Sequence, residues 1–380
     1  MDIFRYNTQT ACFCGIGCVR KNARLFSSYG KRAAVITSRF ADGCRNYALE
    51  DIETALCNEG IEYLIIDNVK ENPPVENVTE LAAKCIAFQA DLLIAIGGGS
   101  SIDSAKAISL IMKYPDADPY EIFYGSGSPS IAIRSESDVP VFAIPTTAGT
   151  GAEVTGFAVL TRSDTNTKLA MYPVVFCVAA FLDPSYIRSS PLFLLHSGAM
   201  DTLAHGVETY LNVNSNLLNR SMANLGFGLF AQYKDALMSG TLSDEYLEKM
   251  QICSFVMGMA FMQSSTTIPH GMGYPLSHAK HVNHGIACAA FLGEYILSFK
   301  NREIVMPIVR ACGFERAEDF AAYVTEIVHR NMHITVTMAE IDKWTDDFMK
   351  LNFRLESNPE RLPREDILRI YCDSLQDYIT

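Results

Sequence analysis

The sequence predicts two halves: an α/β N-terminal domain built on a parallel sheet, then an all-α C-terminal domain. Three observations predict it. Short apolar strands alternate with helices up to about residue 185, those strands lack a polar face, and strand-like runs vanish beyond Pro191. Apolar strands spaced by helices belong to parallel sheets covered on both faces. At 380 residues the chain is too long for one small core, so two domains are expected. Their bounds are placed at residues 1–187 and 188–380, with Pro184 and Pro191 marking the junction.

In chain order, Ala33–Thr37 reads as the first strand and Asn46–Asn58 as a helix ended by Gly60. Tyr63–Ile66 is the next strand, with Asn72-Pro73-Pro74 as the break after it. Val78–Gln89 reads as a helix, Leu92–Ile96 as a strand and Ile102–Met112 as a helix. Val141–Ile144 gives one more strand before Pro145. Beyond the junction, Ser221–Met238, Glu245–Met262 and Glu318–His329 carry the amphipathic period of helices. No internal repeat or low-complexity segment interrupts the pattern.

Hydrophobic content of 49% with 19% charged residues describes a compact, soluble protein. A net charge of −12 argues against nucleic acid or an anionic membrane as the main partner. It is silent on small anionic ligands, which local groups recognise. Of the eleven cysteines, Cys12, Cys14 and Cys18 are close together, but no second closely spaced pair completes a zinc pattern. Buried, reduced thiols of a cytoplasmic enzyme are the expectation. Met1–Thr10 is polar and lacks a signal peptide's apolar core, and Val174–Leu182, the longest apolar run, is too short to span a bilayer.

Four stretches carry chemistry. Gly97-Gly98-Gly99-Ser100 follows a strand and opens a helix, where backbone N–H groups and the helix dipole can hold a diphosphate. A tight strand-to-helix turn is the plainer alternative. It matches neither the Walker loop nor the G-x-G-x-x-G fingerprint. A second polar loop, Pro145–Thr155, also lies at a strand's C-terminal end. Asp201 and His205 stand four apart, one turn of a helix. His270, His278, His281 and His284 fall within fifteen residues. A carboxylate with imidazoles suits Fe(II) or Zn(II) better than calcium or magnesium.

Gly97-Gly98-Gly99-Ser100-x2-Asp103-x-Ala105-Lys106, Pro145–Thr155, Asp201-x3-His205 and His270-x13-His284-Gly285 together resemble the iron-containing (group III) alcohol dehydrogenase family, over roughly Arg32 to Gly285. The resemblance implies a dehydroquinate synthase-like fold: a dinucleotide-binding α/β domain, a helical domain and a metal in the cleft between them. It implies hydride transfer between a nicotinamide cofactor and a short primary alcohol or aldehyde, of the butanol, lactaldehyde or 1,3-propanediol type, in a homodimer. Position by position it gives Asp201, His205, His270 and His284 as ligands of Fe(2+), with Zn(2+) as the alternative. It also gives Gly97, Gly98, Gly99, Ser100, Asp103, Thr146, Thr147, Thr150, Thr155 and Lys168 as cofactor residues.

There are two departures. Where relatives often carry a second histidine four residues after His270, this chain has Tyr274, so Tyr274 and His278 become the candidates for proton relay. After the first strand, where NAD-using relatives tend to carry aspartate, it has Ser38-Arg39. A serine and an arginine can hold a ribose 2′-phosphate, which favours NADP over NAD. Alternatives in view are an anionic aldehyde such as phosphonoacetaldehyde, drawn by Tyr274, Ser277, His278 and Lys280, and a zinc enzyme resembling glycerol dehydrogenase. A nucleotide-binding protein without turnover is the alternative of another class.

Overall fold

The computed structural model describes residues 6–39, 46–125, 139–165 and 167–380. The first five residues of the polar N-terminal stretch lie outside that set. Among the described residues the first half carries eight strands: β1 Ala11–Cys14, β2 Arg32–Thr37, β3 Glu62–Ile66, β4 Leu92–Gly97, β5 Val141–Pro145, β6 Val159–Arg162, β7 Thr167–Ala170 and β8 Ala179–Leu182. Six of them form one parallel sheet in the order β1-β8-β5-β4-β2-β3, and β6 and β7 form a separate antiparallel hairpin.

The strands are apolar on both faces because both faces are covered. Ala34, Ile36, Leu93, Ala95, Val141 and Ala143 face one buried cluster. Their alternate neighbours Ala33, Val35, Leu92, Ile94, Phe142 and Ile144 face the other. Helices Tyr47–Asn58, Val75–Phe88 and Gly99–Lys113 connect the strands. Two of these begin earlier than expected. The break Asn72-Pro73-Pro74 lies between β3 and the next helix, which Pro74 caps at its N-terminus, where its missing N–H costs nothing. Gly99 to Ser101 belong to the helix that follows β4, in its first turn.

Four strands, β1, β6, β7 and β8, escape the sequence reading. β1 holds the Cys12-Phe13-Cys14 triplet and pairs with β8, which is the end of the apolar run Val174–Leu182. The ten described cysteines are free thiols; six are buried, whereas Cys12, Cys14 and Cys57 are exposed. No described helix is long and apolar enough to cross a membrane.

The chain folds into two compact units. One holds the sheet and comprises residues 7–147 and 151–189; the other is helical and comprises residues 190–380 with 148–150. The helical unit includes Leu192–Leu211, Leu217–Ser239, Asp244–Phe261, Ile268–Ala279, His284–Ala289 and Ala317–Asn331.

Candidate metal centre and glycine loop

Leu192–Leu211 is buried through most of its length, and its Asp201, His205 and Glu208 recur at one-turn spacing on a single face. Facing them are His270, in the first turn of Ile268–Ala279, and His284, which opens His284–Ala289. Asp201 Oδ1 lies 3.4 Å from His270 Nε2, 3.8 Å from His284 Nε2 and 4.0 Å from His205 Nδ1. Asp201 Oδ1, His205 Nδ1 and His270 Nε2 are buried without a hydrogen-bond partner. Orphaned buried polar atoms are costly unless something satisfies them. Two donors about 2.1 Å from one tetrahedral cation stand about 3.4 Å apart, so these separations fit ligands sharing a cation.

The electrostatics agree. Burial would raise the Asp201 carboxyl, but the facing imidazoles of His205, His284 and His270 outweigh it and hold the group well below the usual range. Burial pushes His205 down to about 4, against the pull of Asp201. It is therefore neutral at pH 7, as a ligand must be. Burial also disfavours charge on His270 and His284, yet neighbouring Cys288 and the carboxylates shift both upward. The cluster's acidic groups thus favour positive charge at its centre.

Glu208 supports the cluster. Its carboxylate accepts from the His270 ring Nδ1, from the Thr267 N–H and, at 3.2 Å, from the His270 N–H. With Nδ1 donating to Glu208, the Nε2 lone pair of His270 is turned toward Asp201. Arg354, also buried, donates to the Thr267 carbonyl at 2.9 Å and to the Thr266 hydroxyl at 3.1 Å. Its other terminal nitrogen lies 3.3 Å from the Tyr274 hydroxyl. The Tyr274 ring lies nearly parallel to that of His284, 6.2 Å away.

Close backbone packing brings these segments together. A Cβ at Gly285 would overlap the Ser197 carbonyl oxygen, and one at Gly149 would lie 2.9 Å from the Gly198 Cα. Thr202 Oγ1 adds a hydrogen bond to the Gly149 carbonyl at 3.3 Å.

In the sheet unit, the chain runs from β2 to β3 on one side and then to β4 on the other, a topological switch point. There Thr37 pairs with Ile96, and Gly97 with Pro145. Ser38, Gly98 and Thr146 therefore follow the carboxyl ends of three adjacent strands. Gly97 has φ +145°, and a side chain on Gly98 would meet Thr147 Oγ1 at 3.0 Å. Gly99–Lys113 starts without a side-chain cap, leaving the positive end of its dipole to a ligand.

The remaining sequence-predicted residues fall in varied places. The Ser100 hydroxyl accepts from the Asn72 N–H at 3.2 Å. Lys168 is half-buried on the β6–β7 hairpin, opposite Thr161. Asp103 and Thr155 are turned inward: Asp103 Oδ2 accepts from the Val159 N–H at 2.9 Å, and the Thr155 carbonyl accepts from Lys106. Thr150 belongs to the helical unit. Arg39 is exposed and paired with Asp67 at 3.1 Å. His278 is exposed near the end of its helix, and Lys280 is paired with Glu340 at 2.7 Å. That pairing removes one cation from the case for an anionic aldehyde.

Sequence reasoning gave no role to Glu208, Cys288, Lys106 or Arg354. Signals existed for two: Glu208 continues the Asp201-x3-His205 face, and Cys288 stands one turn after His284. Nothing local marks Arg354.

Comparison with known proteins gives one consistent answer. The family model "Iron-containing alcohol dehydrogenase" matches residues 9–184, and "Fe-containing alcohol dehydrogenase family, C-terminal" matches residues 196–375. The chain is 30% identical to a lactaldehyde reductase of Escherichia coli, over 82% of this chain and 84% of that protein. It is likewise 30% identical to aldehyde-alcohol dehydrogenase 2 of Entamoeba histolytica, over 64% of this chain but only 28% of that longer protein. A solved iron-containing alcohol dehydrogenase from Thermotoga maritima superposes with a TM-score of 0.86 at 28% identity, covering 98% of this chain and 100% of that one.

Proposed function

Because the chain belongs to the iron-containing alcohol dehydrogenase family, we propose that it interconverts a short primary alcohol and its aldehyde with a nicotinamide cofactor and a divalent metal. The observation that carries this is the set of orphaned donors, Asp201 Oδ1, His205 Nδ1 and His270 Nε2, gathered with His284 in a buried cluster. Asp201, His205, His270 and His284 would hold the metal, Fe(2+) by family and Zn(2+) by the same donor chemistry. When bound, the cation supplies Lewis acidity toward the substrate oxygen and the nicotinamide supplies or accepts the hydride.

The chain's own residues do the rest. Glu208 fixes the His270 tautomer, and the uncapped helix after Gly98 anchors the cofactor diphosphate. Tyr274 accepts from Arg354, which turns its own hydroxyl proton elsewhere and makes it a candidate proton holder beside His284. The lactaldehyde reductase likeness favours a short 2-hydroxyaldehyde or diol as substrate. Ser38, beyond the end of β2, favours NADP, with Arg39 engaged by Asp67. A cytoplasmic homodimer is the expected form, and the free thiols suit a reducing compartment.

The test is oxidation of NADPH and NADH by anaerobically metal-loaded protein with lactaldehyde, butanal and 3-hydroxypropanal. Metal-dependent turnover, abolished by His270→Ala with cofactor binding retained, is the expected result. Absence of turnover with every aldehyde and both cofactors would leave only a nucleotide-binding protein. Ser38→Asp should lower the NADPH-to-NADH preference, and an unchanged ratio would remove Ser38 from the ribose site.

A further inference from the structure

We propose that Cys288 is a further ligand of this metal, its thiolate added to Asp201, His205, His270 and His284. The assignment rests on the metal-dependent reading above and adds a donor that the family resemblance does not supply. Cys288 is fully buried one turn after His284 on the same short helix. Its Sγ lies 3.8 Å from His284 Nδ1 and 3.9 Å from His284 Nε2. One donor atom from each of Asp201, His270, His284 and Cys288 lies within 4.8 Å of all the others. A sulfur about 2.3 Å and a nitrogen about 2.0 Å from one tetrahedral cation stand roughly 3.6 Å apart, so the sulfur is at co-ligand distance. Two members of the set, Asp201 Oδ1 and His270 Nε2, are more than nine-tenths buried and have no hydrogen-bond partner.

Charge and softness give this ligand consequences. Binding displaces the thiol proton to solvent, so two anionic donors, Asp201 and Cys288, face one divalent cation and, with neutral imidazoles, leave donors and metal neutral together. A cage of one carboxylate and three neutral imidazoles would instead carry a net positive charge, which is dearer in a buried site. Thiolate is also the softest donor available, and it shifts the preference of a mixed nitrogen–oxygen site toward zinc and cobalt over iron(II).

The test uses the full chain loaded with one equivalent of Co(II), since thiolate ligation gives an intense near-ultraviolet charge-transfer band. The wild type should show the band. Cys288→Ser and Cys288→Ala should lose it while remaining folded by circular dichroism and still binding one cobalt. Chelator competition should show affinity weakened at least about ten-fold, the scale on which even outer-shell changes act. A cobalt-loaded wild type without the band, or a band that survives both substitutions, overturns the assignment and leaves the dehydrogenase reading standing. A wild-type chain that binds no cobalt overturns both.

Discussion

Lys106 is the most consequential residue outside the metal cluster, and Lys106→Met tests how the cofactor loop is held. The side chain is fully buried in the helix that the glycine loop opens. An ammonium has three donors, and all three are used: Nζ donates to the carbonyls of Ala152 at 2.7 Å, Thr155 at 2.8 Å and Phe157 at 2.7 Å. Asp103 Oδ1, 3.8 Å away, supplies the opposite charge. Methionine keeps the volume but removes the ammonium donor from three carbonyls, each costing up to about 1–3 kcal/mol where no other donor reaches it. Removing the ammonium's own desolvation cost offsets part of that. Asp103 limits the rest, because burial already raises its carboxyl to about 6 and it can take up a proton once Lys106 is gone. The net loss expected is about 3–5 kcal/mol, the range for removing one member of a buried ion pair. Urea unfolding would measure it, and fluorescence titration with NADPH would show whether cofactor affinity falls as the segment from Ala152 to Phe157 loosens. A loss below about 1 kcal/mol with unchanged cofactor affinity would refute the idea that this ammonium organises the loop.

Three further outcomes follow from the same structure. Glu208→Gln should weaken metal binding by about 10–100-fold, since the amide cannot replace the charged acceptor on His270; chelator competition measures it, and unchanged affinity would refute the supporting role. Gly285→Ala should cost about 1–3 kcal/mol and empty the site, because its methyl would overlap the Ser197 carbonyl oxygen and lie 2.9 Å from Asp201 Cβ. Metal content after dialysis, with the melting temperature, checks it, and wild-type metal retention would count against the packing argument. Glu153 is almost wholly buried, and burial raises its carboxyl to about 7, against about 4.3 for a free glutamate. Between those values the folded chain holds the proton that the unfolded chain has released, so wild-type stability falls as pH rises through the window. Glu153→Gln should therefore be more stable than wild type above about pH 7, by on the order of 3–4 kcal/mol, and should show no such gain below about pH 4. Urea midpoints across that range decide it, and an advantage largest in acid would reverse the sign and sink the account.

Much of the sheet was legible because burial on both faces writes a continuous apolar run. The interiors of β2, β3, β4 and β5 were found within a residue or two of each end. β1 and the β6–β7 hairpin were not, since a half-exposed edge strand and a polar hairpin carry no such run, and β8 is the buried end of an apolar run that was not read as a strand. The Asp201 and His205 pair was readable at helical spacing, and His270 and His284 came from the order of motifs. Glu208 and Cys288 had helical-spacing signals that went unused. Arg354 reaches Thr267 from 87 residues away, and no local pattern reports a contact of that span.

The glycine contacts around Asp201 bear on how the protein gains and loses its ion. Gly149, Gly198 and Gly285 let three stretches of main chain touch one another, so the skeleton itself sets the spacing of the donors. Small zinc modules, by contrast, collapse when stripped because the ion is their core. In this chain a chelator should remove the ion without erasing the helical circular dichroism, and refilling should be quick and complete. One polypeptide could then be emptied and recharged without passing through its unfolded form.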